Sequence, residues 1–141
     1  MTQPKTVADV MTREVVVLRE EDNLGEVAAD MERYRFRHLP VVDGETLVGI
    51  ISQRDLLRFA VSQLERSPLA QDKQRRLEEH TFVYRVMTRD PETVLPETPL
   101  KVAAAKLVEG RFNCLPVVNA RNELVGIITN HDLLEILADR I

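Results

Sequence analysis

The 141-residue chain has no tryptophan, a single cysteine and an aromatic share of only 4%. Proteins that read single-stranded nucleic acid by stacking need aromatic platforms, so this composition argues against that class. The lone cysteine, Cys114, has no partner for an internal disulfide and fits a reducing compartment. The net charge is −4, whereas binding along a phosphate backbone requires a basic surplus. One basic pocket for a single phosphorylated ligand remains compatible with that balance. No apolar run approaches the length that crosses a bilayer. Met1 to Val10 hold one lysine and no apolar stretch, unlike a secretory signal. The expectation is a cytoplasmic protein with neither a membrane nor a nucleic-acid partner.

What the chain does have is a hydrophobic share of 44% and a charged share of 30%, the profile of a soluble globular protein. Its length suits one domain, or two small halves sharing a core. Internal similarity favours two halves. Val10-Met11-Thr12-Arg13 returns as Val86-Met87-Thr88-Arg89, an offset of 76. Leu24 returns as Leu100, and Ala28-Ala29 as Ala104-Ala105. Arg35-Phe36-x-x-Leu39-Pro40-Val41-Val42 returns as Arg111-Phe112-x-x-Leu115-Pro116-Val117-Val118. After one inserted residue, Leu47-Val48-Gly49-Ile50-Ile51 matches Leu124-Val125-Gly126-Ile127-Ile128, and Asp55-Leu56-Leu57 matches Asp132-Leu133-Leu134. Two copies of one supersecondary unit are present.

Each copy reads strand, helix, strand, strand, helix. The β-branched run Val15-Val16-Val17-Leu18 predicts a strand. A helix should start from Asp22 or Asn23, with Leu24, Val27, Ala28 and Met31 on one face. In the second copy Thr98 is the expected N-cap, with Pro99 in the first turn and Leu100, Ala103, Ala104 and Leu107 repeating the stripe. Leu39–Val42 and Leu47–Ile51 flank Asp43-Gly44, a hairpin signal. The second copy has a longer turn over residues 119–123, and Ser52 and Thr129 each open a helix. The expected division is 1–60 for the first repeat, 61–81 for a helical connection, and 82–141 for the second repeat. Within the connection, Ser67-Pro68 marks a helix start or break. Gln71 to His80 is highly charged and reads as a solvated face, anchored by Leu69 and Leu77.

With these residues placed, the sequence resembles the tandem cystathionine β-synthase-type (CBS) family over roughly Thr6–Leu57 and Phe82–Leu137. The resemblance rests on V-x-x-V-M-T, L-P-V-V and G-h-h-[ST]-x-x-D followed by two leucines, in that order and twice. It implies an α+β fold of two β-α-β-β-α repeats paired by pseudo-twofold symmetry. It also implies clefts between the repeats that often hold adenosine-containing ligands.

Gly49-Ile50-Ile51-Ser52-Gln53-Arg54-Asp55 and Gly126-Ile127-Ile128-Thr129-Asn130-His131-Asp132 each run from an apolar strand into a helix N-terminus. Free backbone N–H groups and the helix dipole favour an anion there. A Ser or Thr hydroxyl suits a phosphate or ribose oxygen, and the Asp one turn later suits the paired hydroxyls of a ribose. The same Ser-x-x-Asp and Thr-x-x-Asp spacings are also capping boxes, which serve only orphan backbone donors. Two occurrences inside the family pattern shift the balance towards a ligand.

For the adenine end, the resemblance implies Thr12, Val16 and Val17 with His38 in one cleft, and Thr88, Thr93 and Val94 with Cys114 in the other. The valines also read simply as core strand residues. Arg37, Arg54 and His131 are the candidate phosphate cations, with Asn113 at the position matching Arg37. The Ser52 copy therefore carries more positive charge, which favours AMP, ADP or ATP over uncharged ligands. S-adenosylmethionine and a dinucleotide share the same adenosine. Each of these arginines also reads as an ordinary solvated surface residue.

Other chemistries are weakly supported. His38, His80 and His131 with Cys114 lack metal-ligand spacing. Cys114 reads as a buried small hydrophobe. Neither a nucleophile elbow nor a Walker-type Gly-Lys-Ser is present, so no catalyst and no required cofactor are expected. The last helices carry broad apolar faces, Leu56, Leu57, Phe59, Ala60, Val61 and Leu64 in one copy and Leu133, Leu134, Ile136, Leu137 and Ile141 in the other. Faces wider than a small sheet covers suggest an interface, hence a twofold homodimer. With no effector domain in the chain, output would pass to a separate enzyme or transporter. The competing expectation is a dimerisation module with empty clefts.

Overall fold

The computed structural model describes residues 3–66, 81–110 and 113–140. In chain order the elements are β1 (Leu18–Arg19), α1 (Leu24–Tyr34), β2 (His38–Asp43), β3 (Thr46–Ser52), α2 (Gln53–Arg66), β4 (Thr88–Arg89), α3 (Leu100–Glu109), β5 (Cys114–Val118), β6 (Leu124–Thr129) and α4 (Asn130–Arg140). A short 3-10 turn precedes each repeat, at Val7–Asp9 and Val83–Arg85. The fold is mixed α+β and repeats itself, with α2 continuing past residue 60 to Arg66. Ser67-Pro68, Leu69, Leu77, the charged stretch up to His80, Arg111, Phe112 and Ile141 lie outside the described residues.

Local chemistry explains most of the boundaries. Asn23 caps α1, its Oδ1 accepting from the Gly25 and Glu26 amides at 2.8 and 3.3 Å. In the matching place Thr98 does not cap α3. Its Oγ1 accepts from the Leu95 amide at 3.0 Å to close a tight turn, and Pro99 becomes the N-cap residue. The hairpin between β2 and β3 turns at Gly44, whose φ of 62° suits glycine. The longer second turn is held by Asn119, whose Oδ1 accepts from the amides of Arg121 and Glu123, both at 3.0 Å.

The expected first strand is shorter than its β-branched run. Leu18 pairs with Val41 and Arg19 with Val42 in a parallel ladder. Continuing that register backwards would set Val17 opposite Pro40, which has no N–H to donate. Val16 and Val17 consequently stay 52% and 41% exposed and are not core strand residues.

The chain divides into two compact units, and the division cuts across the repeats. One unit is drawn from Val16–Gly44 and Val48–Asp90. Its sheet runs β1-β2-β3-β4, and its core gathers Leu24, Val27 and Met31 of α1 with Leu39, Val41, Ile51, Val83 and Met87. The segment that leads into the second repeat is thus part of the first repeat's sheet. Thr88 lies opposite Ile50, and Arg89 opposite Gly49.

The other unit is drawn from Met1–Val15, Glu45–Leu47 and Pro91–Ile141. Here β5 and β6 pair antiparallel, and Val94 bridges Val117 in parallel. The core gathers Val7, Met11, Val94, Ala103, Leu107, Leu115, Val117 and Ile128. The segment leading the first repeat is built into this unit. Thr12 and Ile127 exchange two backbone hydrogen bonds of 2.9 Å. Val7 and Ala8 donate to the carbonyls of Thr98 and Pro96, also at 2.9 Å.

This exchange explains the glycine of each Gly-Ile-Ile. A Cβ on Gly49 would lie 2.7 Å from the Met87 sulfur and 2.9 Å from the Thr88 carbonyl oxygen. A Cβ on Gly126 would lie 2.9 Å from the Met11 sulfur and 2.8 Å from the Thr12 carbonyl oxygen. The Val-Met-Thr of one repeat requires the glycine of the other.

Candidate functional site

The strand-to-helix turns at Ser52 and Thr129 have the same construction. Asp55 Oδ2 accepts from the Ser52 amide at 2.8 Å and from Ser52 Oγ at 3.0 Å. Ser52 Oγ in turn accepts from the Asp55 amide at 3.1 Å. The second turn repeats this, with Asp132 Oδ2 accepting from the Thr129 amide at 2.9 Å and from Thr129 Oγ1 at 3.2 Å. Both motifs are therefore closed capping boxes. Each turn is also tied to the start of its hairpin, because Gln53 donates to the carbonyl of Arg37 just before β2 and Asn130 to that of Asn113 just before β5, both at 3.1 Å.

Around this shared frame the two turns differ in charge. At the first, Arg37 and Arg54 are exposed, and His38 is half-buried with Asp55 nearby. Burial lowers the His38 pKa below its ordinary value. Arg37 and Arg54 push it the same way, against an opposing pull from Asp55. At the second turn the polar groups are already engaged. Asn130 Nδ2 donates to Asn113 Oδ1 at 3.0 Å, and His131 pairs along the helix with Glu135 at 2.9 Å. His131 thus faces a carboxylate of its own helix. Asp132 is only 8% exposed and its other oxygen, Oδ1, accepts from Thr12 Oγ1 at 3.3 Å. Cys114 is buried, and burial first, then the Asp132 charge, raises its pKa far above the thiol range. It is a protonated packing group, not a nucleophile.

The structure regroups the leading threonines. Thr12 belongs to the unit of Cys114, Thr129 and Asp132, not to that of Val16, Val17 and His38. Thr88 belongs to the unit of His38, Ser52 and Asp55, not to that of Thr93, Val94 and Cys114. The exchange of leading segments is the reason. Val94 is buried in its bridge to Val117, and Thr93 beside it is half-buried. Sequence reasoning missed the Thr12–Asp132 contact, because the two residues stand 120 positions apart.

The CBS domain family's sequence profile matches residues 7–62 and 83–139. The chain belongs to the CBS domain family. Solved CBS-pair proteins share its fold. The AMP complex of CBSX2, a protein known from Arabidopsis thaliana, aligns at a TM-score of 0.80 with 29% identity, covering 97% of this chain and 98% of that one. AcuB of Vibrio cholerae, described as an acetoin utilization protein, aligns at a TM-score of 0.78 with 34% identity, covering 96% and 91%. Among curated proteins, the homoserine O-acetyltransferase of Methanococcoides burtonii is 33% identical over 129 residues, 91% of this chain. This chain spans only 23% of that enzyme's length. CBS pairs are regulatory modules, and such an enzyme carries one alongside other parts. Among the described residues no helix is long and apolar enough to cross a membrane.

Proposed function

We propose that this CBS pair is a regulatory adenine-nucleotide sensor acting on a separate partner, such as an enzyme or transporter, in the cytoplasm. The observation that carries the reading is the doubled Gly-Ile-Ile-[Ser/Thr]-x-x-Asp turn, in a chain whose near full-length structural relative CBSX2 is solved with AMP. Asp55 and Asp132 would receive the ribose hydroxyls in exchange for part of each capping box. Thr12, Val16, Val17, Thr88, Thr93 and Val94 are the proposed base contacts. Arg37, His38 and Arg54 favour a phosphorylated ligand at the Ser52 turn, whereas at the Thr129 turn Asn113 and Cys114 carry no positive charge and His131 pairs with Glu135. Ligand binding shifts a conformational equilibrium only through unequal affinity for the two states.

A second reading is supported by the exposed apolar side chains of α2 and α4. Leu57 of α2 is 65% exposed, and Leu134 and Leu137 of α4 are 60% and 55% exposed. These faces suit a homodimer, and a module that only dimerises needs no ligand. Equilibrium binding of AMP to wild type and to the Asp55→Ala/Asp132→Ala double variant separates the readings. The sensor reading requires loss of binding in the folded double variant, and equal affinity contradicts the ribose assignment. Wild-type protein that dimerises but binds no adenosine compound leaves the dimerisation reading in its place.

A further inference from the structure

Val16, Leu18, Asp30, Tyr34, Phe36 and Leu39 surround a partly open cavity of about 210 Å³ between α1 and the strands beside it. Its walls are almost wholly apolar, and the exposed Asp30 is the one charged residue beside them. Asp30 forms no hydrogen bond or ion pair with any described residue. The Tyr34 and Phe36 rings lie 5.8 Å apart, tilted by 36°. The whole chain has only two tyrosines and four phenylalanines, so two of its six rings are spent on this wall. None of the residues at the Ser52 or Thr129 turn lines it. Val16, expected from the resemblance to contact a base, sits in this wall.

The second repeat provides an internal control. Leu18 pairs with Val41 and Val94 with Val117, so the offset of 76 holds structurally here. At that offset Val16 becomes Glu92, Asp30 becomes Lys106 and Tyr34 becomes Gly110. In the second repeat the Lys106 amine pairs with the Glu92 carboxylate, and the ring is gone. One copy therefore bridges this place with its own ion pair. The other leaves it open, walled by aromatic rings, beside a carboxylate that pairs with no described residue.

We propose that the first-repeat cavity binds a small organic ammonium, its apolar body among Val16, Leu18 and Leu39 and its nitrogen between Asp30 and the Phe36 ring. The carboxylate disfavours anions. The apolar walls lack the several oxygen ligands that a hydrated metal cation requires. Aromatic faces attract organic cations, and since the Arg33 guanidinium lies 5.5 Å from the Tyr34 centroid, the Phe36 ring is the one left for the ligand. An apolar cavity of about 150 Å³ is enough to hold benzene, so this volume suits a single ring or short branched chain bearing one nitrogen. The inference shares Val16 with the proposed base contacts and otherwise stands apart from the nucleotide reading.

The test is calorimetric titration of the folded protein with phenethylammonium, its neutral analogue 2-phenylethanol and the anionic 3-phenylpropionate. The ammonium should bind about tenfold more tightly than the alcohol, and the carboxylate most weakly. Asp30→Asn should bring the ammonium and the alcohol to similar affinity. Val16→Glu with Asp30→Lys, which transplants the Glu92–Lys106 pair, should abolish binding while circular dichroism stays unchanged. Similar affinity for all three probes, binding of none by folded wild type, or an undiminished ammonium preference in Asp30→Asn would each overturn the proposal.

Discussion

Thr12 Oγ1 donates to Asp132 Oδ1 at 3.3 Å, joining the segment that leads the first repeat to the helix that ends the second. Thr88 makes no matching bond to Asp55, whose Oδ1 has no hydrogen bond among the described residues. The two turns share a sequence motif and a capping box, yet among the described residues only the Ser52 turn offers a carboxylate oxygen that no donor occupies. Arg37, His38 and Arg54 stand around that turn. Of the two, it is better prepared for a phosphorylated nucleoside.

This difference predicts unequal effects of the single variants. Asp55→Ala should weaken AMP binding more than Asp132→Ala does. Each should also lose one capping box, worth about 1 kcal/mol of stability. Binding isotherms and thermal melts of both variants check this. Greater loss in Asp132→Ala would place the stronger site at the Thr129 turn.

The glycines of the two turns should resist any side chain. Gly49→Ala puts a methyl against the Met87 sulfur and the Thr88 carbonyl oxygen, and Gly126→Ala does so against Met11 and Thr12. The sulfur can swing aside, but the backbone oxygen cannot. Each variant should lose about 2 kcal/mol, read by urea denaturation. Adding Met87→Ala to Gly49→Ala should restore none of the part due to the oxygen. A neutral Gly49→Ala would show that the leading segment is free to move away.

His38 should make stability depend on pH. Its folded-state pKa is depressed by burial, so the unfolded chain takes up a proton first as pH falls. The contribution is complete above about pH 6.5, the ordinary histidine value, and is lost as pH drops through the folded value. His38→Gln should flatten that part of the melting-temperature profile. A nucleotide phosphate nearby would favour the charged imidazole, so AMP affinity should rise on acidification in wild type and less so in His38→Gln.

Glu45 and Glu123 face each other where the tip of the first hairpin meets the turn of the second repeat. Leu124 donates to the Glu45 carbonyl at 2.9 Å, and Leu47 to the Asn122 carbonyl at 3.0 Å. The side-chain hydrogen bond with Glu123, then its charge, raises the Glu45 pKa, while Asn119 and Glu45 hold that of Glu123 down. The stabilisation from protonated Glu45 is lost as pH rises through its folded value. Glu45→Gln should therefore raise the melting temperature at neutral pH and leave it unchanged in acid. No gain at neutral pH would mean that solvent screens the pair completely.

The repeat and its elements were legible because the apolar stripes and turn residues recur at one offset. Asn23 capped its helix as its side chain predicted, whereas Thr98 was drawn into a tighter local turn and left the cap to Pro99. The valine run at Val15–Val17 has high strand propensity, but Pro40 lies opposite the next position of the ladder and the strand starts late. The exchange of leading segments was not legible from propensity, which says nothing about which sheet a segment joins. Its trace in the sequence was the bare glycine inside two apolar strands, a sign of close backbone approach. The unequal charge of the two turns was legible in Arg37 against Asn113 and Arg54 against His131. The pairing of His131 with Glu135 and the reach of Thr12 to Asp132 needed coordinates.

The most direct test of adenine-nucleotide sensing is a thermal-shift titration of nucleotide-stripped protein against AMP, ADP, ATP, S-adenosylmethionine, NAD and adenosine. A nucleotide sensor should show a rise of about 8 °C at a hundredfold excess over Kd, growing with the logarithm of concentration, for one or two phosphorylated ligands. A folded sample that shifts with none of the six would contradict that reading.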